Sequence, residues 1–313
     1  MLTPARTAIA AALAAVLLGL SGCGVNVPGV DSDLVDDWQP LAAPRFELPA
    51  TGACLDRDAQ PSYNPSSLLG ARVACDRPHS LEVVMTGTVE GDAAQASEPP
   101  AAGSEDAKAA YAACDKAVSD HVGGDWHTGM LGINVQMPNR TPWSGGLRTY
   151  VCSVYATSDV YVYSSGSLVS SSLKGSLTGA APKALHCIEV NGDKGKDNWW
   201  GDIRALTQID CAQPHEAEFV GTVQVGAGVG GALPSHDLLK KWTTDRCWPA
   251  IAKFMGLTES QLNTRSDMGM AWDGFTKADW DAGERNQRCF ALFNPGKKAK
   301  ASIKGLGKKA LPV

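Results

Sequence analysis

Cys75-Asp76-Arg77-Pro78-His79-Ser80-Leu81-Glu82-Val83-Val84 is answered later in the chain by Cys211-Ala212-Gln213-Pro214-His215-Glu216-Ala217-Glu218-Phe219-Val220. Both stretches read C-x-x-P-H-x-x-E, continue in apolar residues and reach Gly87-Thr88-Val89 or Gly221-Thr222-Val223. A Pro-His turn followed by a β-branched run is the signature of a turn feeding a strand. The recurrence decides the fold, because it makes the chain two copies of one unit.

Further matches extend the repeat in both directions. Before the shared stretch lies another cysteine, Cys54 or Cys187, and after it comes a helical segment with a third, Cys114 or Cys247. Ser104 and Ser235 are suited to cap these helices, and Gly123 and Gly256 to end them. Pro249 should kink or divide the second helix. The fourth cysteine closes W-x-x-G-x-R-x-x-x-C, with Trp143, Gly146, Arg148 and Cys152 matched by Trp280, Gly283, Arg285 and Cys289. Last, Ser172-Leu173-Lys174-Gly175 is echoed by Ser302-Ile303-Lys304-Gly305.

Strands are predicted near 53–55, 71–75, 82–89 and 149–155, and again near 185–190, 205–211, 218–225 and 288–293. Each copy thus has strands on both sides of one helix. That is an α+β domain, a mostly antiparallel sheet with one packed helix, present as two tandem disulfide-stapled copies. The expected boundaries are a signal at 1–22, a tether at 23–49, the first repeat at 50–163, a Ser/Gly-rich linker at 164–182, the second repeat at 183–293 and a basic tail at 294–313. The acidic, Ala/Pro-rich stretch 90–106 is expected to be a flexible loop.

The N-terminus places the protein outside the cytoplasm. Arg6 precedes an apolar run over residues 8–20, the form of a secretory signal and too short to span a bilayer, which needs roughly 20 apolar residues. The run ends in Leu20-Ser21-Gly22-Cys23, which resembles the bacterial lipobox and implies acylation of Cys23. Two acyl chains satisfy the two-signal requirement for durable anchoring. In an oxidising exterior the other eight of the nine cysteines favour disulfides over zinc, which would want close C-x-x-C pairs. Within a repeat three pairings are open. First with second and third with fourth is favoured, since each bridge then closes a moderate loop. Each should stabilise by roughly 2–4 kcal/mol.

A net charge of −5 and 44% hydrophobic content describe a globular chain without a nucleic-acid footprint. Lys297, Lys298, Lys300, Lys304, Lys308 and Lys309 concentrate positive charge at the C-terminus, read as a solvated end that could touch anionic lipid or an anionic wall polymer.

These motifs together resemble the septum formation family of actinobacterial envelope proteins. The resemblance covers about residues 50–175 and 185–305. It implies an exported or membrane-tethered domain associated with septation and transfers no catalytic residue.

His79 with Glu82, and His215 with Glu218, are the tempting catalytic or metal pairs. Residues three apart on a strand point to opposite faces, so the expectation is structural: imidazoles bonded within the turn, and Glu82 and Glu218 paired with Arg148 and Arg285. Ser171 and Lys174 give an S-x-x-K without its companion motifs. The six histidines lack H-E-x-x-H spacing. Trp199, Trp200, Trp242, Trp248 and Trp272 crowd the second repeat, mostly as core, though an exposed Trp199-Trp200 would suit a partner. The reading is a non-enzymatic, lipid-anchored adaptor at the extracytoplasmic face of the cell membrane, with no cofactor or metal, meeting envelope or division proteins or wall polymer. The alternatives are a small-ligand or wall-polymer binding module using a cleft between the repeats, and a wall hydrolase or metal-dependent enzyme built on P-H-x-x-E.

Overall fold

In a computed structural model of the chain, the structure describes residues 46–56, 71–160, 166–195 and 199–313. The signal, Cys23 and the tether up to residue 45 lie outside the described residues. Residues Phe46–Val313 form one compact unit. Among the described residues no helix is long and apolar enough to cross a membrane.

The first sheet contains β1 (Cys54–Leu55), β2 (Arg72–Val73), β3 (Leu81–Thr88), β4 (Leu131–Gln136), β5 (Thr149–Thr157) and β6 (Gly166–Ser167). Its order is β2-β1-β3-β5-β4, with β6 added to β5. The second sheet contains β7 (Cys187–Lys194), β8 (Trp200–Ile209), β9 (Ala217–Gln224), β10 (Met268–Trp272) and β11 (Asn286–Phe293), in the order β8-β7-β9-β11-β10. Every described pairing is antiparallel, and the two orders superimpose strand for strand. The α+β reading with a duplicated sheet holds. β4 and β10 were not predicted; they are short edge strands whose residues carry only weak alternation.

The helices are α1 (Gly91–Gln95), α2 (Glu105–Val122), α3 (Arg140–Ser144), α4 (His236–Met255), α5 (Glu259–Leu262) and α6 (Lys277–Ala282), with a 3₁₀ turn at Trp126–Thr128. The hydroxyls of Ser104 and Ser235 accept bonds from the amides of Ala107 and Leu238, capping α2 and α4, while Gly123 and Gly256 end them with φ of 85° and 75°. Left-handed backbone of this kind favours glycine. Each long helix buries one stripe at four-residue spacing: Ala110, Cys114, Val118 and Val122 on α2, and Thr243, Cys247, Ile251 and Met255 on α4. The helix α4 runs unbroken through Pro249, so the expected division is absent. The buried stripe on both sides of Pro249 outweighs one lost main-chain bond.

The disulfides pair Cys54 with Cys75, Cys114 with Cys152, Cys187 with Cys211 and Cys247 with Cys289. This is the favoured pairing. In each repeat one bridge ties the first strand to the turn after the second, and the other ties the long helix to the sheet.

Three segments differ from expectation. The supposed linker is part of the first sheet: Val169 bridges His79 and Leu173 is buried. The supposed solvated tail does the same for the second sheet, with Ala299 bridging His215 and with Ile303 and Leu311 in the core. The loop 90–106 is gripped as well. Arg148 Nε donates to the Ala94 carbonyl at 2.5 Å and Trp143 Nε1 to the Ala96 carbonyl at 2.8 Å.

Candidate functional site

The P-H-x-x-E motifs build two matching bolts. Glu82 Oε1 accepts from Ser172 Oγ at 2.7 Å and Oε2 from the Leu173 amide at 2.7 Å. Glu218 accepts from Ser302 Oγ at 2.7 Å and the Ile303 amide at 2.8 Å. The Lys174 and Lys304 amides donate back to those same hydroxyls. The S-[LI]-K-G segments are therefore each held by a buried carboxylate. The fourth bond differs between copies. His121 Nε2 of α2 meets Glu82 at 2.9 Å, whereas the motif's own His215 Nε2 meets Glu218 at 3.0 Å. Both carboxylates are only 2% exposed. Burial would raise the Glu82 pKa, but His121, the Leu173 amide and Ser172 overcome it and hold the group low. His215 is held above its ordinary value by Glu218 and the Gln213 carbonyl, against the opposing effect of burial.

Two expectations fail here. His215 and Glu218 converge although they are three apart, because the strand begins only at Ala217 and the histidine sits in the preceding turn. The repeated arginines do not pair with the repeated glutamates. Arg148 and Arg285 instead stack over Trp143 and Trp280, at 4.0 and 3.5 Å from the ring centroids, and donate to the same tryptophans' carbonyls at 2.6 and 2.9 Å. W-x-x-G-x-R is thus a clamp that stacks on itself and grips a preceding loop, through Ala94 and Ala96 in the first copy and Gly231 in the second.

Cys54, His79 and Glu82, like Cys187, His215 and Glu218, bring potential ligand atoms within 4.8 Å of one another. The sulfurs are committed to disulfides and the carboxylates to several donors, so as folded these sets do not fit a cation. Trp200 donates to the Phe293 carbonyl at 2.7 Å, and Trp199 packs over Gly269. Both rings are half-buried rather than displayed.

The open chemistry lies between the repeats. A cleft of about 260 Å³ is lined by Tyr111, His127, Asp273, Glu284 and Arg288 among others, and adjoins an apolar groove of about 400 Å³ with which it shares Tyr111, Ile133, Tyr155 and Asp279. His127 Nδ1 lies 2.6 Å from Asp125 Oδ1 and Nε2 lies 2.8 Å from Glu284 Oε2. Each ring nitrogen faces a carboxylate oxygen, so both donate and the ring is an imidazolium. Burial opposes this charge, but the two carboxylates raise the His127 pKa to about 9. The same contacts, with Tyr111 Oη donating at 2.6 Å, lower Glu284 to about 2 against the effect of burial. Burial and the nearby Glu284 push the Tyr111 phenol well up.

Arg288 completes the cluster. It donates to the carbonyls of His127 at 2.6 Å, Gly129 at 3.2 Å and Leu131 at 3.0 Å, and to Asp273 Oδ2 at 2.9 Å. Burial raises the Asp273 pKa in spite of that arginine. A buried guanidinium satisfied by three carbonyls and a carboxylate is a joint between domains.

Sequence reading missed this cluster because its members are not repeated. The available signal was the mismatch itself: Glu284 stands where the first copy has Leu147, and Arg288 where it has Val151. A charge replacing an apolar residue at a duplicated position marks a surface that only one copy uses.

No curated protein and no solved structure matches the chain. The family model described as septum formation matches residues 51–289 in a single span across both sheets, and the chain belongs to that family.

Proposed function

We propose that the protein is a non-enzymatic interaction module in septum formation, held by an acylated Cys23 at the extracytoplasmic face of the membrane. Membership of the septum formation family ties it to that process. The observation that carries the adaptor reading is the use of the conspicuous polar motifs. His215, Glu82 and Glu218 are buried and bonded within the fold, and His79 is buried with its Nδ1 on the Arg77 carbonyl, which supports a structural role for these motifs over a hydrolytic one. A lipid anchor would confine the module to two dimensions and raise its effective concentration near membrane partners.

The inter-repeat groove favours a related reading in which binding runs through that cleft rather than over the outer surface. Crosslinking in intact cells, followed by capture of the acylated protein, tests the adaptor role. Recovery of division or wall-synthesis proteins is expected. Recovery of a solute-transport complex would overturn it, as would a Cys23→Ala chain that still partitions with membranes for the anchor.

A further inference from the structure

The strand β4 is an edge strand, paired with β5 alone among the described strands. The Thr157 amide donates to the Met130 carbonyl at 3.0 Å, which fixes the alternation of the antiparallel ladder. Gly132, Asn134 and Gln136 exchange bonds with β5, while Leu131, Ile133 and Val135 turn their main-chain groups outward. The bond from Arg288 Nη2 to the Leu131 carbonyl, on the outer side, agrees with this parity. No described residue bonds the outward amides and carbonyls of Ile133 and Val135.

The apolar groove touches Ile133, Asn134 and Val135 in succession. Side chains of a strand alternate between faces, so a cavity that meets consecutive residues runs along the edge. It is also lined by α2 through Ala107 and Tyr111 and by α6 of the second repeat through Ala278 and Ala282. Small side chains there leave room for a backbone. Asn134 is 8% exposed and its Nδ2 has no partner among the described residues. At the junction with the charged cleft sits Asp279. Its Oδ2 accepts from the Thr276 amide and hydroxyl, and Oδ1 has no partner among the described residues.

We infer that this groove takes an extended polypeptide segment of an envelope partner, added as a further strand on β4, with small apolar side chains and a basic residue at the Asp279 end. Strand addition supplies affinity through main-chain bonds, and alternate side chains supply specificity. An unpaired edge is ordinarily blunted by charge, proline or a cover. Here it is left apolar and placed inside a walled groove. The inference rests on the binding-module reading and specifies its site.

The probe is a synthetic peptide alternating Val and Thr with one terminal Lys, added to the chain from Phe46 to Val313, which contains both sheets and all four disulfides. Binding should slow amide exchange at Ile133 and Val135 by about tenfold or more, the scale of one hydrogen bond. The same peptide N-methylated at alternate residues along one edge should bind at least about tenfold more weakly. Exchanging its Lys for norleucine should cost about threefold, as expected for a partly exposed pair. Val135→Pro removes an outward donor without breaking a bond to β5 and should abolish binding with the circular dichroism unchanged. The N-methyl comparison needs no variant and decides the matter if that one misfolds. Absence of binding, equal binding of the methylated peptide, or protection elsewhere than β4 would overturn strand addition. Partners still captured from cells in that event would leave the adaptor role standing.

Discussion

Glu284 of the second repeat and His127 of the first face one another at 2.8 Å across the joint between the two sheets, and both are more than nine-tenths buried. One carboxylate oxygen of Glu284 serves both His127 and Tyr111, and the other accepts the amides of Arg285 and Asn286. The duplicated halves are therefore joined by a charged contact to which each copy contributes a different, unrepeated residue.

This contact makes stability depend on pH at both ends. His127 binds its proton up to about pH 9 in the folded chain against an ordinary value of 6.5. Its contribution is complete below about pH 6.5 and disappears as the pH rises through 9. Glu284 behaves in the opposite sense: its contribution is complete above about 4.5 and is lost as the pH falls toward 2. The two shifts share the contact between His127 and Glu284, on the order of 2 kcal/mol, with Asp125 adding to the first and Tyr111 to the second. Urea midpoints should form a plateau between about pH 5 and 7 and decline on either side. In His127→Gln the alkaline decline should shrink to the part that His215, also raised, contributes; an undiminished decline would mean that His127 is not responsible.

Breaking a bolt should loosen one repeat. Glu218→Ala leaves buried His215 and the Ser302 and Ile303 donors without an acceptor, and should cost about 3 kcal/mol. Limited proteolysis should then cut within residues 297–309. Glu82→Ala should have a similar cost and open residues 168–175 instead. Cleavage appearing at the same place in both variants would show that the bolts do not act locally.

The tryptophan clamps should distinguish arginine from lysine. Arg148→Lys and Arg285→Lys keep the charge but lose the planar stack and the shared carbonyl contacts, at about 1–2 kcal/mol each. Trp143 and Trp280 are buried, so intrinsic fluorescence should shift to longer wavelength as the ring is exposed. Unchanged emission together with unchanged midpoints would show that the stack carries no weight.

Removing the bridge between Cys114 and Cys152, or that between Cys247 and Cys289, should cost about 3–4 kcal/mol, because each closes a loop spanning 38 or 42 positions and so restricts the unfolded chain. Calorimetry of the paired Cys→Ala variants measures this. A loss well below 1 kcal/mol would place the stability in helix packing alone.

Much of the fold was legible in the sequence because duplication prints each structural requirement twice. Ser104 with Gly123, and Ser235 with Gly256, carry local meaning, so the helix ends could be read from spacing; the cysteine order favoured the observed disulfide partners among three pairings per repeat without deciding them. The roles of Glu82 and Glu218 could not. Their acceptor duty is fixed by segments roughly 85–90 positions away, and the strand-face rule failed where the strand had not yet begun.

By itself, the sequence determined a duplicated, cysteine-stapled α+β unit, because repeated spacing constrains backbone conformation wherever it occurs. Only the tertiary structure decided how the halves meet and where an edge is left open. His127, Glu284, Arg288 and the outward rungs of β4 take their function from neighbours more than a hundred positions distant. No local pattern encodes a contact whose partners are brought together by the packing of two separate sheets.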